Sequence, residues 1–383
     1  MPTMPADAAA PPTTNPAARE RRVPWRRTAW LVLLALFTAG LWVVAAANPA
    51  GTEVGYSTSI FPLLARGLVV ASGWLPFSLG EVLLLAFVAA ALTLTLRGAS
   101  DLLRRRRPAR EVLARGCCHT ASAAAVLFTA FVLLWGLNHA RPTFAELVGL
   151  RPQPVTREAL LQTLTRLAQR AAAARPRGFD VTSALPAGWQ GWIGDAYDLA
   201  GRRQPLLHGP RPAIRSPWIS PLLTLASTTG IYSPFTGEAH VNRGLVGLEQ
   251  LFTACHEVAH LRGFAREDEA NFIAWWVGTS AAERTVAYAC EVQALRHVRG
   301  ALRSFPGVDD IHALVVLTAV PQVLADMAAI DHFWQREREK PLHQTITHIA
   351  TTTNDLYLKA SGHADGARSY GRMVDLLVAA LAD

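Results

Sequence analysis

Residues 254–276 read ACHEVAHLRGFAREDEANFIAWW, and the reading of this stretch decides the fold of the C-terminal two-thirds of the chain. His256 and His260 stand four positions apart, so on a helix both imidazoles lie on one face and can reach a single metal ion. Glu257, between them, is placed to take a proton from an attacking water rather than to bind the metal. Leu248, Leu251, Phe252 and Cys255 form an apolar stripe that would bury the opposite side of the same helix. Gly263 stops that helix. The turn at 262–265 lets a second helix begin near Arg266 and bring an acid back over the histidines, and Glu267, Asp268 and Glu269 come next. A catalytic Zn2+ takes three protein ligands and keeps one position for water, a demand met by two histidines and one of these acids.

The surrounding pattern is mainly α. Leu160, Leu161, Leu164 and Leu167 follow the three-and-four spacing of an amphipathic helix over 155–174, and further helices are expected over 250–261, 268–280, 281–304 and 311–329. Residues 188–217, broken by Gly, Pro and Trp, read as irregular, and GIYSPFTGEAHVN at 230–242 reads as a strand pair, the one small β segment.

Toward the N-terminus the composition changes. The whole chain is 51% hydrophobic and only 17% charged, with mean hydropathy +0.19, against about 25% charged in an ordinary soluble domain. The apolar excess sits in spans expected at 28–47, 78–96 and 119–137, each near the roughly 20 residues that cross a bilayer. Residues 58–77 are apolar but carry Pro62, Arg66, Gly67, Gly73 and Pro76, and read as an interfacial segment. The net charge of +8 is the sum of two arginine-rich flanks, one before the first span and one between the second and third. Three spans place both flanks in the cytoplasm, as the positive-inside rule requires. The expected order is a disordered basic cytoplasmic tail (1–27), a membrane domain (28–140) and an extracytoplasmic domain (141–383) of the cytoplasmic membrane. The basic charge is thus a topology signal facing a lipid bilayer, and a nucleic-acid partner is excluded.

HEVAH followed by Glu267 to Asn271, the pattern E-x-x-A-N, resembles the gluzincin metallopeptidases. The resemblance implies Glu267 as third zinc ligand with Asn271 supporting the site, and leaves Glu269 as the alternative ligand. The metzincin branch is set aside because Arg266 occupies the position of its third histidine. Zincins bind an extended peptide along an exposed edge strand, for which Gly237, Glu238, Ala239, His240, Val241 and Asn242 are the candidates, with an ordinary structural hairpin as the alternative. They also stabilise the oxyanion with His or Tyr, and His363 and Tyr370 lie in a glycine-bearing loop suited to that. Together with PFSLGE, LLWGLNHARP and NDLYLKASGHADGARSYGRMVDLL, these stretches are similar to the bacterial membrane family catalogued as domain of unknown function 3810. The expected protein is a membrane-anchored, zincin-like peptidase acting on a peptide or protein. The competing expectation is a non-catalytic envelope scaffold on the same fold. Cys255 and Cys290 could form a disulfide or a buried pair of thiols, and the oligomeric state is left open.

Overall fold

The computed structural model describes residues 23–152, 154–304, 310–360 and 372–382. Among these, three helices are long and apolar enough to cross a membrane: α1 (Trp25–Ala47), α3 (Leu79–Leu103) and α4 (Ala109–Leu134). They mark a membrane protein, and α4 begins ten residues before the span expected from hydropathy, at the arginine-bearing turn. Between α1 and α3 lies α2 (Phe61–Gly73), bent by 42° from the short helical run that precedes it. Its 13 residues extend about 20 Å at 1.5 Å per residue, short of a 30 Å hydrocarbon core. One side of α2, carrying Phe61, Ala65 and Val69, is buried.

Two compact units emerge. One comprises residues up to Thr38 with Phe87–Thr129, and within it the Thr28 hydroxyl meets Ser122 at 3.0 Å while Arg107 pairs with Asp101 and Glu111. The other comprises Ala39–Ala86 and the chain from Ala130 onward, and everything below concerns this second unit.

Its core is built by helices. Thr156 caps α5 (Arg157–Ala174), whose Leu160, Leu164, Leu167 and Ala171 are fully buried. Next comes α6 (Gln190–Arg203), inside the stretch expected to be irregular. Glycine and tryptophan obscure its pattern, but Ile193, Ala196, Tyr197 and Ala200 keep a helical stripe that is buried, and the Tyr197 hydroxyl donates to the Cys255 carbonyl at 2.6 Å. The helices α7 (Gly247–Leu261), α8 (Glu267–Thr279) and α9 (Arg284–Ser304) pack on one another, and α9 packs on α5. The helix expected over 311–329 is two, Asp310–Thr318 and Pro321–Arg338, because Pro321 cannot continue the first and instead opens the second. Cys255 and Cys290 are buried free thiols, and a Cβ on Gly278 would stand 2.0 Å from the Cys290 sulfur.

A three-stranded sheet of β1 (Ala213–Arg215), β2 (Gly230–Ser233) and β3 (Glu238–Val241) lies beside α7 in the order β1-β3-β2. β1 runs parallel to β3 and β2 antiparallel, with the β2–β3 turn closed by Gly237 at φ +66°. This corrects the expected substrate edge. β3 and its flanks, Gly237 to Asn242, cannot take another strand because β3 is paired on both sides and wholly buried. Of the two edge strands, β1 and β2, it is β2 that lies against α7.

Candidate metal centre

The helix α7 presents the HEVAH face as spacing requires. His256 Nε2 and His260 Nε2 are 3.1 Å apart. The turn after α7 is tight because Gly263 adopts φ +81°, and a Cβ there would come within 3.0 Å of both the Asn138 carboxamide and the Phe61 ring. That turn starts α8 at Glu267, whose carboxylate oxygens reach His256 Nε2 at 3.2 Å and His260 Nε2 at 3.7 Å. His256, His260 and Glu267 form a donor set able to hold a metal ion, the candidate group of this kind among the described residues. Glu269, the alternative ligand, is engaged elsewhere: its Oε1 accepts from the Phe144 amide at 3.1 Å and from Arg266 at 3.0 Å. Asn271, buried one turn beyond Glu267, brings its side chain up to His256. His363 and Tyr370 lie outside the described residues.

The electrostatics distinguish the two histidines. Burial pushes His260 down to about 4, so its ring is neutral. Its Nδ1 lies 2.7 Å from the Phe264 carbonyl, which can only accept, so Nδ1 carries the proton and Nε2 presents its lone pair to the cluster. Burial also works against charge on His256, but the hydrogen bond and charge of Glu267 outweigh it and raise its pKa. Burial lifts Glu257 to about 8 against the opposing pull of His256, which brings a carboxylate into the range where a proton can be taken and returned near neutrality. His297 on α9 is held down to about 4, first by burial and then by Arg296 and His256, and its ring stands 6.2 Å from Phe252.

β2 closes one side of the centre. A Cβ on Gly230 would lie 2.5 Å from Glu257 Oε1 and 2.5 Å from the Thr253 methyl, so only glycine lets the strand approach this closely. The Asn242 amide donates to the Thr229 carbonyl, so by strand alternation Thr229, Ile231 and Ser233 bond toward β3 while Gly230 and Tyr232 turn their backbone groups to the open edge. The Tyr232 amide donates there to the Glu257 carboxylate.

Several supporting residues carry no sequence motif. The Trp135 indole donates to the His260 carbonyl at 3.0 Å and sets its ring edge-on to the histidine. Arg141 donates to the Arg262 and Gly263 carbonyls at 3.3 and 3.0 Å, covers Phe264 at 4.2 Å and is held by two 2.8 Å bonds to Glu53. The turn that carries Glu267 to the histidines is therefore fixed from the end of α4. Trp135 and Arg141 fall in LLWGLNHARP, which stood out as a stretch, whereas Glu53 had no signal at all.

The profile of a family described as "Protein of unknown function (DUF3810)" matches residues 56–378. The chain belongs to that family. No curated protein and no solved structure matches the chain. In this DUF3810 member the matched range takes in α2 through α9 and with them every residue of the metal centre except Glu53, which lies three positions before it.

Proposed function

We propose that this DUF3810 member is a zinc-dependent metallopeptidase anchored in the cytoplasmic membrane, with its N-terminus inside and its catalytic unit outside, hydrolysing peptide bonds at the outer face. The observation that carries the reading is the donor geometry together with the acid beside it. Bonds of about 2.1 Å at tetrahedral angles set zinc ligand atoms about 3.4 Å apart. Here the two nitrogens are 3.1 Å apart, Glu267 Oε2 is 3.2 Å from His256 and Glu267 Oε1 is 3.7 Å from His260, so the carboxylate faces both rings within that range. Two imidazole nitrogens and one carboxylate are the ligand chemistry that suits Zn2+ in a hydrolase, and three ligands leave a position for substrate.

When bound, the ion acidifies a water and polarises the scissile carbonyl. The remaining work falls to the chain. Glu257 takes the proton of the attacking water on its carboxylate and returns it to the leaving amine. The backbone groups of Gly230 and Tyr232 pair with an extended substrate, which takes the Tyr232 amide that Glu257 now occupies and frees the carboxylate for proton transfer. The Phe264 carbonyl keeps His260 in one tautomer and Trp135 keeps its backbone in place. The two arginine-rich flanks support this orientation through the positive-inside rule.

The test is peptide hydrolysis by full-length protein in detergent with Glu257→Gln alongside. Loss of about 10²–10⁴-fold, the usual share of a general base, with metal content unchanged is the expected result. Equal activity in wild type and Glu257→Gln rejects the mechanism, and a wild type that binds metal but hydrolyses no peptide favours the scaffold reading.

A further inference from the structure

The metal centre has no linker between it and the membrane-spanning helices. Trp135, the residue after α4, bonds the backbone of His260, and its ring centroid lies 5.9 Å from that of the histidine. Adding the reach from ring to ion with a bond of about 2.1 Å keeps the centre within about 10 Å of the indole of Trp135, the residue that follows α4. The sheet is fastened to a second span. Its one face, Gly230, Tyr232 and Ala239, lies on α7 and the core, while the other holds the start of α3. There the buried Glu238 accepts from the Leu79 and Gly80 amides at 3.0 and 2.7 Å, and His240 meets the Ser78 hydroxyl at 2.8 Å. Glu81, on the first turn of α3, accepts from the Ile219 amide at 3.1 Å. These bonds tie the helix that bears the histidines, the sheet and the first turn of α3 to one another.

Large apolar side chains are exposed on β2 and around the start of α3. Ile231, on β2, is 44% exposed, and Phe235 in the following turn is 37% exposed. Trp218 and Leu222, flanking the Ile219 that bonds Glu81, are 65% and 60% exposed, and Trp74 and Phe77 between α2 and α3 are 85% and 39% exposed. Trp74 and Phe77 precede α3 in the chain and Trp218 adjoins the Ile219 that bonds Glu81, while Ile231 and Phe235 lie on and just after β2. Aromatic and aliphatic side chains in this position suit the interface of a bilayer, and its continuity with the spans names lipid as what covers it.

We propose that the substrate is a polypeptide anchored in the same membrane, cut in the segment that leaves the bilayer. The proposal rests on the peptidase reading and goes further by restricting what that site can reach. A headgroup layer is about 5–7 Å deep and an extended chain advances about 3.3 Å per residue, so a tethered chain comes level with the centre about three residues beyond its own span and can lie along β2 over the next several. A soluble peptide has to reach the same edge without a tether.

The experiment uses the full-length zinc-loaded protein in phospholipid vesicles with two substrates. One is a synthetic 20-residue apolar span followed by a 30-residue tail carrying a randomised stretch at varied distance from the span, and the other is the same tail pool without the span. Products are mapped by mass spectrometry. The tethered pool is expected to be cut at least tenfold faster than the free one, with cleavage concentrated within about ten residues of the span. Equal rates for the two pools, or cuts spread evenly along the tail, overturn the restriction and leave the peptidase reading standing. Cutting of neither pool removes both.

Discussion

Replacing Arg141 by Met should loosen the turn that joins the two halves of the metal centre. The Arg141 side chain is 3% exposed and that of Glu53 11%, and they share two 2.8 Å bonds. Removing one member of a buried pair strands the other, which costs about 3–5 kcal/mol. Arg141→Met in addition leaves the Arg262 and Gly263 carbonyls without these donors. Glu53→Gln should cost about as much, and the double variant Glu53→Gln, Arg141→Met should be more stable than the two losses added together, by about 1–3 kcal/mol of coupling. Because the turn positions Glu267, metal affinity should also fall, by about 10–100-fold, as when outer partners of ligands are removed. Unfolding in mixed micelles gives the stabilities, and competition with a zinc chelator gives the affinities. Single variants within 1 kcal/mol of wild type, or strictly additive losses with metal affinity unchanged, would refute the role assigned to the pair.

Gly230→Ala is expected to abolish hydrolysis and to cost about 1–3 kcal/mol by overpacking, since its methyl would meet Glu257 and Thr253 at 2.5 Å; unaltered activity would mean that β2 does not approach α7 as described. Glu238→Gln should lower stability by about 1–3 kcal/mol through loss of charged acceptance at the start of α3, measured by the same unfolding assay. Glu249 is buried, accepts the Trp334 indole N–H on both carboxylate oxygens, and has its pKa raised by burial against the pull of Arg296. The folded state then holds this proton more tightly than the unfolded one, so wild-type stability should decline as pH rises from the ordinary carboxylate range through the raised value. Glu249→Gln should remove that slope, giving a melting-temperature difference that grows with pH.

What could be read from the sequence was what has a local period or a local composition. The i, i+4 histidines, the apolar stripe of α7 and the three apolar helices all depend on neighbours within a few turns, and each is present, although α4 begins ten residues before the expected span and α3 runs seven residues past its own. The α6 helix was hidden because Gly188, Gly191 and three nearby tryptophan and proline residues outweigh its short buried stripe in any composition window. Strand order is not local at all. Whether β2 or β3 is the edge depends on β1, which arrives from 213–215 and pairs with β3, so the hairpin alone could not decide it. Glu238 and His240 looked like substrate-facing residues and instead hold the start of α3, some 160 positions earlier in the chain. Glu53 and Arg141 meet across 88 positions, and no pattern of either sequence neighbourhood marks the encounter.

Metal analysis of the purified full-length protein bears most directly on the proposed centre. Wild type should carry close to one equivalent of zinc with two nitrogen and at least one oxygen ligand by X-ray absorption, Glu257→Gln should keep it, and His256→Ala and Glu267→Ala should lose it. Wild type without stoichiometric metal, or metal retained in full by Glu267→Ala, would contradict the assignment.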